Sequence, residues 1–160
     1  MTALLHTILA SLAWATAPLE GAWVLDPGKS ESVEAILEAQ GVSWAARKAA
    51  TSVIPKLQIT QDESAVRVTS TTPKGTTTEV FPTDGQPHRT DSPDGQPATW
   101  TTRWQGDTLV STRAVAFGPD KQPATLTLSR SRVGEAMHQR VTLVVEGGAT
   151  HTALRVFVPQ

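Results

Sequence analysis

From Lys56 to the end of the chain, apolar residues return at every second position, in short runs separated by Gly, Pro, Asp and Gln. "KLQIT", "AVRVTST", "TTTEVF", "ATWTTRW", "TLVSTRAVAF", "ATLTLSRSR", "MHQRVTLVV" and "HTALRVFV" each alternate in this way, with a shorter run around "PHRT". A period of two means side chains that alternate between the faces of a strand, and turn signals every 8 to 12 residues mark an antiparallel meander. Before Pro55 the period is different. "GAWVL" (21–25) reads as a strand, and "SESVEAILEAQG" (30–41) as a short helix. Ser30 is its predicted N-cap, Glu31 and Glu34 lie in its first turn, Val33, Ile36 and Leu37 share a face, and Gly41 ends it. "SWAARKAATS" (43–52) predicts a second helix capped by Ser43, and Pro55 forbids its continuation.

Ten strands in a meander leave two edges to protect, and closure into a barrel removes both. The predicted fold is therefore all-β, a ten-stranded antiparallel up-and-down barrel of the lipocalin-like kind. Its two-helix lid falls between strands one and two. A barrel of ten strands is wider than those whose interior side chains just fill, which predicts an internal cavity. A length of 160 residues suits one domain, residues 18–160.

Residues 1–17 stand apart as an apolar leader without charge, too short for a membrane-spanning helix. "AWATA" offers small residues for a signal-peptidase site after Ala15, which predicts an exported or periplasmic protein. The absence of a basic start keeps open a second reading, an apolar helix retained against the barrel in a cytoplasmic protein.

Composition narrows the chemistry. The chain has no cysteine, and His6, His88, His138 and His151 are scattered without metal-ligand spacing, so no metal or cofactor is expected. A net charge of −1 with no basic face argues against nucleic acid. "GKS" at 28–30 lacks the upstream glycine of a phosphate loop, no G-x-S-x-G elbow occurs, and no paired carboxylates stand out. The expectation is a monomeric binding protein, not an enzyme.

Two arginines in late strands carry most of the functional signal. In "ATLTLSRSR", Arg130 shares parity with Leu126 and Leu128, so it faces inward if they do. In "ALRVFVPQ", Leu154, Val156 and Val158 share one face while Ala153, Arg155 and Phe157 share the other. Hydrophobicity alone sends Arg155 to solvent, since arginine is rarely buried without a partner. An inward Arg155 would leave an outward apolar face needing cover, for which the leader is a candidate.

The ordered set of motifs resembles the intracellular lipid-binding proteins, the family of the fatty-acid-binding and cellular retinoid-binding proteins. Gly21 and Trp23 match the family's opening Gly-x-Trp. Gly41, Val42, Trp44, Ala45, Arg47 and Lys48 match a segment of its helix-turn-helix, and "SPDGQ", "WQGDTLV", "TLSRSR" and "RVF" resemble later turns and strands. The resemblance covers about residues 20–160. It implies a β-clam that holds an amphipath, most simply a long-chain fatty acid, with Arg130 and Arg155 on its carboxylate. Alternatives are a retinoid, bile acid or heme-like ligand, or a partner-binding barrel with a vestigial cavity. It turns Arg155 inward, against the hydrophobic pattern. Phe157 falls where the family often has a tyrosine, so one hydroxyl donor is missing. Val33, Leu37, Pro73 and Leu128 are the portal and cavity residues it suggests. Lys29, Arg47 and Lys48 lie where the lid would touch an anionic membrane, although solvated helix charges explain them as well. Trp23, Trp44, Trp100 and Trp104 are expected mainly in the core.

Overall fold

A computed structural model describes residues 18–91 and 97–160. The leader and the "SPDGQ" turn lie outside the described residues. The chain runs β1 (Gly21–Leu25), α1 (Glu34–Ala39), α2 (Trp44–Thr51), β2 (Lys56–Gln61), β3 (Ala65–Thr72), β4 (Gly75–Pro82) and β5 (Asp84–Asp91). It continues through β6 (Pro97–Gln105), β7 (Thr108–Phe117), β8 (Gln122–Val133), β9 (Ala136–Val145) and β10 (Thr150–Pro159). All ten strands join one antiparallel sheet in the order β4-β3-β2-β1-β10-β9-β8-β7-β6-β5. The sheet curls until β4 meets β5, where a bond from the Val80 amide to the Thr90 hydroxyl (3.3 Å) spans the seam in place of a ladder. The result is a nearly closed barrel with two helices between strands one and two, as the alternation predicts.

Alternation sets the inside. Leu57 and Ile59, Val66 and Val68, Leu109 and Ser111, and Met137 and Leu143 are buried on the inner face. Phe81 meets Trp100 edge to face at 5.8 Å, linking β4 to β6 inside the barrel. At the end away from the helices, the Trp23 indole N–H donates to the Leu19 carbonyl (3.0 Å), and both side chains are buried.

The lid differs from the sequence reading in one useful respect. The first helix begins at Glu34, and Ser30 does not cap it. The Ser30 hydroxyl instead donates to the Asp26 carbonyl (2.7 Å) and accepts from the Val156 amide (2.9 Å). The Asp26 amide donates to the Val156 carbonyl and the Glu31 amide to the Leu154 carbonyl, at 2.8 and 2.7 Å. The Glu31 carboxylate accepts from the Leu154 amide at 2.7 Å. β1 ends opposite Phe157, so the upper part of β10 would otherwise lack a neighbour on that side. Residues 26–31 satisfy those backbone groups as a strap, and that demand outweighs a helix cap at Ser30.

The second helix follows expectation, with the Ser43 hydroxyl accepting from the Ala46 amide (3.4 Å). Gly41, at φ +76°, reverses the chain between the helices, with its amide on the Glu38 carbonyl and the Val42 amide on the Leu37 carbonyl. Arg47 lies 3.4 Å from Glu38 and Lys48 3.2 Å from Glu34, so these cations tie one helix to the other. Lys29 pairs with Asp26 at 3.6 Å. Trp44 is not core: it is 65% exposed on the outer side of α2. Helix α2 buries none of its residues, so an apolar side chain there has no wall to meet.

Candidate functional site

Register places the two arginines in one row. Leu109 on β7 faces Arg130 on β8, Arg130 faces Gln139 on β9, and Gln139 faces Arg155 on β10. Residues directly opposed across antiparallel strands share a face. With Leu109 fully buried, the row Leu109–Arg130–Gln139–Arg155 lines the inside. Strands lie about 4.8 Å apart, so the arginine backbones stand about 10 Å from each other.

Arg130 is 4% exposed. Its Nε donates to the Gln139 Oε1 at 2.8 Å, its guanidinium lies 5.3 Å from the centre of the Phe81 ring, and its Nη1 has no partner. Burial lowers its pKa to about 10, and the negative charge of Glu79 works against that shift. Glu79 lies two residues from buried Phe81 on the same face of β4.

Arg155 is half-buried, and burial lowers its pKa as well. Its Nε is buried and makes no hydrogen bond among the described residues. The side chain lines a pocket of about 190 Å³ at the foot of the lid, together with Leu25, Pro27, Ser30, Val33, Thr51 and the acidic Glu31, whose carboxylate is engaged by the Leu154 amide. Phe157, next on the same face, is 2% exposed between Met137 on β9 and Leu25 on β1. It therefore fills wall space and offers no donor. Ala153 and Phe157 are buried with Arg155 between them, so β10 turns its less apolar face inward. Val156 on the opposite face is only 5% exposed, beside the strap of residues 26–31.

The remaining residues singled out from sequence fall in different places. Val33 shares the pocket with Arg155. Leu128 lies on the inner face between Ser111 and Val141, packed on the core. Leu37 is half-buried in α1 and does not line that pocket, and Pro73 is exposed at the β3–β4 turn. Among the described residues, no cluster of three or more His, Cys, Asp or Glu is arranged to hold a metal ion.

Gln139 and Glu79 were not singled out from sequence. Gln139 had a readable signal: it is the one polar residue among Met137, Val141, Leu143 and Val145 at its parity. Its carbonyl is occupied by Arg130, while its amide N–H₂ makes no hydrogen bond among the described residues. The row thus presents donors only, two guanidinium groups and an amide, which is the chemistry of an anion site.

No family model matches the sequence, and no curated protein matches it. Solved structures do match. The REP1-NXSQ fatty acid transporter is 22% identical, with a TM-score of 0.70 over 89% of this chain and 96% of that one. Fatty-acid-binding protein 1 of Echinococcus granulosus is 20% identical, with a TM-score of 0.70 over 88% and 96%. Human cRBP IV is 19% identical, with a TM-score of 0.65 over 91% and 100%. The chain has the fold of these lipid-binding proteins: a ten-stranded, nearly closed barrel with a two-helix insertion after the first strand.

Proposed function

We propose that this protein is a non-catalytic carrier of a hydrophobic carboxylate, most simply a long-chain fatty acid, held by Arg130, Gln139 and Arg155. The observation that carries the reading is the buried Nε of half-buried Arg155, which has no acceptor among the described residues and faces a pocket. A buried guanidinium N–H without an acceptor is costly, and a carboxylate relieves that cost through short charge-assisted bonds. Gln139 supplies, through its amide N–H₂, a third donor of the kind that Phe157 lacks. Two of the structural neighbours are fatty-acid transport or binding proteins, which is consistent with the reading.

The pocket beside Arg155 holds about six water-sized volumes at roughly 30 Å³ each, enough for a carboxylate and the first methylenes. The tail has to enter the barrel by displacing the lid or the loosely held seam between β4 and β5. It gains about 0.8 kcal/mol for each methylene buried. Tail length then sets affinity, and the arginine row sets head-group choice. Exposed Trp44 gives the lid an apolar point suited to brief contact with a membrane during delivery.

A second reading is a neutral ligand such as an alcohol. It is favoured by Arg130, whose charge already has Glu79 nearby and whose Nε is satisfied by Gln139. Native mass spectrometry of protein purified without detergent separates the two. A co-purifying fatty acid is expected. An alcohol adduct, or a barrel that stays empty after incubation with palmitate, contradicts the carrier reading.

A further inference from the structure

The wall has a second opening, away from the arginine row. β6 and β7 pair only from Thr101↔Thr112 down to Gln105↔Thr108. Above Thr101, β6 remains paired with β5, and above Thr112, β7 remains paired with β8, so the two strands part and leave a slit. The slit opens onto a solvent-exposed groove of about 690 Å³ lined by residues of both faces, among them Ala98, Thr99, Arg113, Ala114 and Val115. Small side chains on both lips make it a gap fit for a slender chain.

Arg113 stands at this gap. It lies in the inner row with Leu126 and Leu143, four residues further along β7 than Leu109, which puts it about 13 Å from the Arg130 level at about 3.3 Å per residue. Its guanidinium lies 4.9 Å from the ring centre of Trp100, the residue across the unlatched part of β6. Neither side chain is satisfied. The Arg113 Nε and the Trp100 Nε1 are both buried without a hydrogen-bond partner, and Trp100 is only 5% exposed. Among the described residues no carboxylate pairs with Arg113. Buried donors are ordinarily paired, so Arg113, which lines the slit, and Trp100 behind it, in contact with Arg113, call for an acceptor.

We infer that the β6/β7 slit is a second carboxylate site, in which Arg113 and the Trp100 indole N–H hold the head group of an amphipathic acid and the small-residue lips hold its chain. This site does not depend on Arg130, Gln139 or Arg155.

The test follows the indole N–H resonance of Trp100 by NMR in the full chain, assigned by its disappearance in Trp100→Phe. Octanoate is titrated against the wild type and against the Arg130→Leu/Arg155→Leu double variant, with acetate and octanol as controls. A saturable downfield shift with octanoate is expected in both proteins, and octanol should produce none. Arg113→Leu should weaken that response at least tenfold. Should that variant fail to fold, Arg113→Gln keeps the polar contacts, removes the charge and should show the same loss. The inference is overturned by no shift with octanoate, by a shift that survives loss of the Arg113 charge, or by an equal shift with acetate, which would mean a small-anion site only. A shift in the wild type that vanishes in the double variant would place the octanoate at the arginine row and overturn it too. If octanoate moves Trp100 but palmitate never binds the arginine row, the slit stands and the carrier reading fails.

Discussion

Arg130 and Arg155 occupy the same row of the barrel, two strands apart, in unlike surroundings. Around Arg130 the wall is continuous: β7, β8 and β9 are paired along their length, Phe81 lies under the guanidinium, Gln139 takes its Nε, and Glu79 supplies negative charge. Around Arg155 the wall is patched. β1 has ended, a strap of residues 26–31 takes its place, and the pocket under the lid reaches the side chain. One cation is buried with Gln139 and Glu79 beside it and keeps a single unpartnered nitrogen, Nη1, while the other lies half-exposed at the pocket with its Nε unpartnered. A binding site needs both, a rigid element to fix geometry and an unsatisfied one to reward the ligand.

Closing that difference from within the protein should produce the largest effect. Gln139→Glu sets a carboxylate between the two guanidinium groups and satisfies both. Carboxylate affinity should fall more than 100-fold, since charged hydrogen bonds contribute about 1.5–3 kcal/mol each and the ligand no longer makes them. The unliganded protein should melt higher. Unchanged affinity in a titration with palmitate would mean that the row does not hold the head group.

Removing the charge by pH comes next. Arg130, with its pKa lowered to about 10, should lose its proton as pH rises past that value, and palmitate affinity should fall about tenfold by pH 11. Binding of the matching alcohol should not change over that range. The stability change has the opposite sign. Between about pH 10 and the higher value ordinary for arginine, the unfolded chain binds the proton better than the folded one. Stability from this group therefore rises with pH across that window as the cost of burying the charge disappears. Binding curves and melts recorded at the same pH values check both signs.

A smaller effect is expected from Phe157→Tyr, which adds a hydroxyl on the face of Arg155 and should tighten palmitate binding up to about tenfold. No change would mean that the Gln139 amide already fills that role. The smallest concerns the strap alone. Ser30→Ala removes the acceptor for the Val156 amide and should cost about 1–2 kcal/mol, a melting shift of about 2–8 °C. Hydrogen exchange should accelerate along β10 near Val156 and not along β8 near Arg130.

The same two regions show what the sequence made legible. Alternation was enough for β8, because Leu126 and Leu128 fix the parity of Arg130 and the strand is paired on both sides. On β10 it pointed the wrong way. Leu154, Val156 and Val158 are the more apolar set, yet they face outward, with Val156 buried beside a strap whose position depends on where β1 stops. Hydrophobic period reports burial and does not say which side of a wall provides it. Family resemblance supplied the missing orientation. Ser30 misled for a related reason: its hydroxyl is as good a partner for a bare strand edge as for a helix terminus, and only the fold brings β10 within reach. Gln139 was legible as a lone polar residue on an apolar face. Glu79 was less so, since its neighbours Thr77 and Thr78 give no clear parity.

The most direct test of the central claim is calorimetric titration of the wild type and Arg155→Leu with hexadecanoate and with hexadecanol. The account predicts that the variant loses at least tenfold in affinity for the acid while its affinity for the alcohol stays within about twofold. Equal losses for both ligands, or none for either, would contradict it.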